Sequence, residues 1–94
     1  MPRFLHVSEP PIEWNPTKHR YVEIADHIES QIRSGALQPR AALPSVPRMA
    51  EQYGVAKMTI TRAVRVLVQR DLVVIVHGRG TFVREPDDVP DDQS

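Results

Sequence analysis

The chain contains no cysteine, which excludes a disulfide framework, an iron–sulfur cluster and any thiolate zinc site. Aromatic residues make up only 5% of it. The longest apolar run is the five residues 72–76, far short of the roughly 20 that a membrane-spanning helix needs. The N-terminus lacks a basic region followed by an apolar stretch, so no signal peptide is expected. With 94 residues the chain can close one modest core but leaves no room for a separate substrate domain. The expectation is a single soluble, cytoplasmic domain without cofactor or metal. His6, His19, His27 and His77 are scattered, with no pair at metal-ligand spacing on one helix. A triad of Ser45, His27 and Asp26 can be written on paper, but nothing in the sequence places the three together. The pair Gly78 and Gly80 is a lone GxG with no helix after it. An enzyme is not expected.

What the chain does have is a hidden charge asymmetry. The net charge is zero, with twelve basic and twelve acidic residues. Five of the acids (Glu85, Asp87, Asp88, Asp91 and Asp92) lie in the last ten residues, which hold no base. Residues 33–84 carry nine bases against two acids, Glu51 and Asp71, a net of +7. A basic body with an acidic tail calls for an anionic partner, nucleic acid being the commonest. The plainer reading is a solvated surface whose charges cluster by chance.

Hydrophobic spacing divides the chain further. Residues 1–16 hold four of the nine prolines and show no period, so they read as an irregular arm. Phe4, Leu5, Val7, Ile12 and Trp14 make that arm partly apolar, able to pack back on the domain or to meet a partner. Residues 17–84 form the expected domain. Its first helix is capped by Thr17 and carries Tyr21, Ile24, Ala25, Ile28 and Ile32 on one stripe, with Gly35 as its left-handed stop. A second helix starts after Ser45, tolerates Pro47 in its first turn and repeats Val46, Met49, Ala50 and Tyr53. Gly54 ends it, and a third helix over 57–69 buries Ile60, Ala63, Val64 and Leu67. Then the period changes: the β-branched run 72–77, a Gly78-Arg79-Gly80 tip and residues 81–84 read as a β-hairpin. The fold class is therefore mainly α with a small β-hairpin, a winged helix-turn-helix. Residues 85–94 read as a disordered acidic tail.

The third helix gives the candidate site. With its buried stripe assigned, its N-terminal part presents Lys57, Met58, Thr59, Thr61 and Arg62, and in a helix-turn-helix such residues face base edges in the major groove. Lys57 and Arg62 can donate to guanine, while Thr59 and Thr61 can serve phosphate or, through their methyls, thymine. By themselves these residues fit an ordinary solvated helix face better; the helix-turn-helix context reverses that preference. Ser45 is either a simple N-cap or part of a phosphate site with Arg48 nearby. The wing residues His77, Gly78, Arg79, Gly80 and Thr81 are either a plain hairpin turn or a probe of the minor groove or phosphate backbone.

Taken together, these residues carry a resemblance. Tyr21, Ile24, Ala25, Ile28, Ile32, Gly35, Leu37 and Pro39 open it, followed by Leu43-Pro44-Ser45 and residues 50–55. Thr59-Ile60-x-Arg62-Ala63 and the closing Gly78-Arg79-Gly80-Thr81-Phe82-Val83 complete it. This pattern resembles the DNA-binding domain of GntR-family bacterial transcription regulators, and the Met58-Thr59 pair and the wing resemble its HutC-type branch. The resemblance spans residues 21–83. It implies a repressor that reads duplex DNA at an inverted-repeat operator as a symmetric dimer, its third helix in the major groove. Family members continue into an effector-binding, dimerising domain. Its absence here implies no small-molecule control and a weak homodimer on DNA, with the apolar residues around Trp14 as glue. Pro47 stands where the family usually places an arginine, Ala56 and Lys57 where Ser-Arg opens the recognition helix, Thr61 where another arginine is usual, and Asp71 where a glycine is expected. These departures motivate an alternative, a winged-helix module that has exchanged DNA for a protein partner.

Overall fold

The computed structural model describes residues 12–85. Three helices, α1 (Arg20–Ser34), α2 (Val46–Tyr53) and α3 (Lys57–Gln69), precede two strands, β1 (Val73–Val76) and β2 (Gly80–Val83). The strands pair antiparallel, with Val73 opposite Val83 and Val76 opposite Gly80. The architecture is a winged helix-turn-helix.

Each helix exists because one stripe is apolar. Ile24, Ala25 and Ile28 of α1, Met49, Ala50 and Tyr53 of α2, and Ile60, Ala63, Val64 and Leu67 of α3 are buried together with Leu43, Val73 and Val83. The outer ends of the expected stripes, Tyr21, Ile32 and Val46, are only partly buried against this cluster. At the centre lies α3, which packs on α1, on α2 and on β1. Arg70, at the C-cap of α3, spans to both Asp26 and Glu29 of α1 at 2.8 Å. Partly exposed pairs of this kind contribute about 0–1 kcal/mol each, so they orient the two helices more than they hold them.

The helix ends follow local chemistry, with one correction. α1 is not capped by Thr17: its N-cap is His19, which makes no side-chain cap bond. Thr17 instead turns back on Asn15, donating its N–H and hydroxyl to Asn15 Oδ1 at 2.8 and 2.6 Å. The other stops fall where expected, Gly35 and Gly54 both being left-handed. Leu37 folds back to place its N–H 2.9 Å from the Gln31 carbonyl. Asp71 takes the left-handed conformation after α3, and so does Arg40, which the sequence did not announce. β1 is one residue shorter at each end than the run 72–77, and β2 keeps four residues but is shifted by one, starting at Gly80 rather than at residue 81.

Two further features were not legible beforehand. A short extended segment pairs with the free side of β2 through an Ala42–Phe82 bridge, and Leu43 N–H donates to the Thr81 carbonyl at 2.8 Å. This segment ties the entrance of α2 to the wing. The described end of the N-terminal arm is also docked, because Ile12 and Trp14 pack against the core. Arg20 lies over the Trp14 ring at 4.6 Å, and Asn15 N–H donates to the buried Glu23. Residues 1–11 and 86–94, which include most of the arm and the acidic tail, lie outside the described residues.

His27 and Tyr53 link α1 to α2 at 2.8 Å between Nδ1 and the phenol oxygen. Burial pushes the phenol up to about 12, so it stays protonated. We therefore assign it as the donor to an Nδ1 that carries no proton. Burial also holds the His27 ring below its ordinary value of 6.5.

Two predictions follow from this packing. Leu67 is fully buried, and Leu67→Ala is expected to cost about 2–5 kcal/mol, read as a lower urea midpoint. A histidine depressed in the folded state stabilises fully above its ordinary value and loses that contribution as pH falls through its folded value. Unfolding midpoints are thus expected to drop as pH falls below about 6.5, and less steeply in His27→Gln.

Candidate nucleic-acid interface

A tight turn joins α2 to α3. After α2, Gly54 reverses the chain, and Val55 N–H closes the turn on the Ala50 carbonyl at 3.0 Å. The buried stripe of α3 then sets its rotation. At about 100° per residue, the direction opposite the core is occupied by Met58, Arg62, Arg65 and Gln69, all exposed. Lys57 and the half-buried Thr61 flank this line on one side, and the half-buried Thr59 on the other.

The two N-termini differ in how they are finished. Ser45 Oγ accepts the Arg48 N–H at 3.3 Å, so Ser45 is a working cap for α2 while its hydroxyl proton remains available. Pro47 removes one more open donor from that first turn. At α3 the cap position is Ala56, which has no oxygen to offer. The first amides of α3, at Lys57 and Met58, therefore have no side-chain acceptor, and they carry the positive end of the helix dipole beside a lysine. Such a terminus can accept an anion.

The threonines separate in role. Thr61 donates its hydroxyl to the Lys57 carbonyl at 3.2 Å, within its own helix. The proton that a phosphate contact from Thr61 needs is thus already committed, which leaves its methyl as the outward chemistry. Thr59 makes no side-chain hydrogen bond among the described residues.

Between α2, α3 and the wing runs a groove of about 520 Å³, lined among others by Ser45, Val46, Thr61, Arg65, Ile75 and Thr81. It brings together four of the candidate residues, Ser45 at the start of α2, Thr61 on α3, and Gly80 and Thr81 on the wing. Arg65 was missed in the sequence reading, although it falls on the same stripe as Met58 and Arg62. It also borders a second cleft on the other side of α3, with Tyr21, Arg62 and Gln69. The wing tip stands apart from the groove. His77, Gly78 and Arg79 are exposed and form a tight turn closed by Arg79 N–H on the Val76 carbonyl at 2.9 Å. Gly78, at the third place of that turn, has φ +76°, where a side chain would be strained even though a Cβ would meet open space.

The structure also sorts the basic residues. Lys18, Arg33, Arg40, Arg70 and Arg84 are each ion-paired to an acid. Arg20, Arg48, Lys57, Arg62, Arg65 and Arg79 make no ion pair among the described residues, Arg20 lying over the Trp14 ring instead. Arg20 apart, this second set comprises the cations of α2, the exposed face of α3 and the wing tip. Five of the nine bases of residues 33–84 are thus left without an acid partner among the described residues, and all five lie on these elements. No group of three or more His, Asp or Glu that could hold a metal occurs among the described residues. No described helix is long and apolar enough to cross a membrane.

Comparison with known proteins settles the family. A profile described as "Bacterial regulatory proteins, gntR family" matches residues 20–83. The chain belongs to this family. It is 42% identical over 66 residues to the HTH-type transcriptional repressor NagR of Bacillus subtilis, a match covering 70% of the chain and 27% of NagR. The histidine utilization repressor of Pseudomonas aeruginosa is 44% identical over 66 residues, covering 70% and 26%. The chain thus spans only about a quarter of the length of these relatives. Among solved structures, the AraR DNA-binding domain in complex with operator ORX1 superposes with a TM-score of 0.69 at 30% identity, covering 77% of this chain and 92% of that one. The GntR-family factor YtrA of Sulfolobus acidocaldarius gives 0.72 at 32% identity, covering 79% and 78%. In this GntR-family domain the matched segment contains every element described above.

The bare cap of α3 yields a direct test. Ala56 already has the extended backbone of an N-cap residue, so Ala56→Ser is expected to stabilise the domain by about 1 kcal/mol. Urea unfolding of the two chains at one pH measures the difference.

Proposed function

We propose that this domain reads operator DNA for a transcriptional repressor, with α3 in the major groove and the wing on the minor groove or phosphate backbone. The observation that carries this reading is the segregation of cations: among the described residues the bases on α2, on the outer face of α3 and on the wing tip lack acid partners, whereas those elsewhere are ion-paired, except Arg20, which lies over the Trp14 ring. A polyanion is the partner that such an arrangement fits. The kinship with NagR and with the operator-bound AraR domain supports the same reading.

Roles follow from position. Arg62, one turn into α3, is a base-reading donor, and Lys57 is a phosphate or guanine contact at the start of the helix. Ser45 and Arg48 hold a phosphate at the start of α2. Arg79, carried between two glycines, clamps the backbone or enters the minor groove beside His77. The working species on DNA is a symmetric pair of domains on an inverted repeat. The protein-docking alternative has less in its favour, since the outer face of α3 carries Lys57, Arg62 and Arg65 without acid partners among the described residues, and charged residues are depleted at the core of protein interfaces.

Selection of duplexes from a random library, repeated at two salt concentrations, tests the proposal. An enriched inverted repeat is the expected result, with affinity falling on a log–log salt plot by about 0.9 per phosphate neutralised. No enrichment at low salt overturns it. On the selected operator, Arg62→Ala is expected to reduce discrimination against single-base changes by about 1–3 kcal/mol. Arg79→Ala is expected to weaken specific and random duplexes alike and to lower the salt slope by about 1. Anisotropy titrations of both variants on both DNAs separate the two roles.

A further inference from the structure

Met58 stands among the cations of α3 on the side facing away from the core, and its placement calls for an explanation. It is 58% exposed, the most exposed of the large hydrophobic residues described, and it sits in the first turn of α3 directly opposite the buried stripe. Lys57, Arg62 and Arg65 surround it along the helix. Met58 and Thr61 are three residues apart and therefore neighbours on the helix surface. With the Thr61 hydroxyl turned onto the Lys57 carbonyl at 3.2 Å, what Thr61 offers beside Met58 is a methyl group. The two side chains make a small apolar island within reach of the uncapped start of α3.

An island of this size is too small to anchor a protein partner, whose binding core is a packed, contiguous patch. It matches instead a single methyl group carried on a polyanion. The major-groove edge of DNA displays one such group, the 5-methyl of thymine. Resting on the proposed DNA-binding reading, we propose that Met58, seated beside the Thr61 methyl, is a specificity-determining residue that selects thymine by its 5-methyl group at one position of each operator half-site. Arg62 and Lys57 supply hydrogen bonds and charge around it, while the Met58–Thr61 pair senses shape. The flexible thioether suits this task, because it can settle on a flat methyl-bearing edge without a fixed donor geometry.

The test uses the full chain and the operator recovered by selection. Each thymine of one half-site is replaced in turn by deoxyuridine, which keeps the base pair and removes only the 5-methyl. The wild-type chain is expected to lose about threefold to fivefold in affinity at one thymine, the scale of one buried methyl group, and little at the others. Met58→Ala is expected to bind the thymine operator more weakly and to treat thymine and deoxyuridine alike at that position. Thr61→Val, which keeps the methyl and drops the hydroxyl, is expected to retain the discrimination, whereas Thr61→Ser is expected to lose part of it. Both positions lie outside the core cluster, and matched circular dichroism spectra check that the variants are folded. Indifference of the wild type to deoxyuridine at every thymine overturns the proposal and leaves the DNA-binding reading intact. So does full discrimination by Met58→Ala, or a selected half-site without a required thymine. Failure to recover any operator overturns the DNA-binding reading itself, and this inference with it.

Discussion

Everything on the functional side of this domain depends on the burial of one stripe of α3. Ile60, Ala63, Val64 and Leu67 lie inward against α1, α2 and β1, and a rigid helix with one side fixed has its opposite side fixed too. The phase of the buried stripe therefore decides that Met58, Arg62 and Arg65 are presented and that Thr59 and Thr61 are half withdrawn. Two fully buried alanines, Ala25 on α1 and Ala63 on α3, belong to this core, and interiors of native packing density leave little slack for the helix to rotate. Positioning of the recognition surface is in this sense a packing property, not a property of the surface residues themselves.

The two helix starts divide the labour between stability and binding. α2 is finished internally, with Ser45 as cap and Pro47 as a residue that needs no acceptor. α3 is left unfinished, with Ala56 where an oxygen belongs. An exposed, uncapped start forgoes a contribution of about 1 kcal/mol, and what it retains is a set of backbone donors that can serve an external anion. The ion pairs show the same division on a larger scale. Acids are placed against the bases that join α1 to α3 and the chain near the sheet, and among the described residues none is placed against the bases of the presented face.

The departures from the family pattern acquire a chemical sense in this setting. Thr61 stands where an arginine is usual, and it satisfies its hydroxyl within the helix instead of outside it. Pro47 takes another arginine position and stiffens the first turn of α2. On the proposed DNA-binding reading, a methyl and a ring stand where the resemblance implies two long bidentate donors, and recognition shifts from hydrogen bonding toward shape. Arg65, one turn beyond Thr61, places a charge between the two clefts that flank α3.

Much of the architecture was determined by the sequence alone. The 3.6-residue spacing of α3, the glycine stops at Gly35 and Gly54, the Ser45 cap and the change of period after Asp71 are local signals. Local signals suffice because hydrogen bonding within a helix or tight hairpin involves near neighbours. The candidate residues of α3 were legible for the same reason, since a known buried stripe implies its opposite. Other features needed the tertiary structure. The 41–43 segment is too short, between Pro39 and Pro44, to show a period, and it pairs only because β2 lies beside it. Thr17 has the chemistry of a cap, but Asn15 draws it into an earlier turn. Which of the described cations remain without acids depends on contacts such as Arg70 with Asp26 and Glu29, more than 40 residues apart along the chain. Charge can be counted in a sequence, but its neutralisation is decided by distance, and distance between remote residues exists only once the chain has folded.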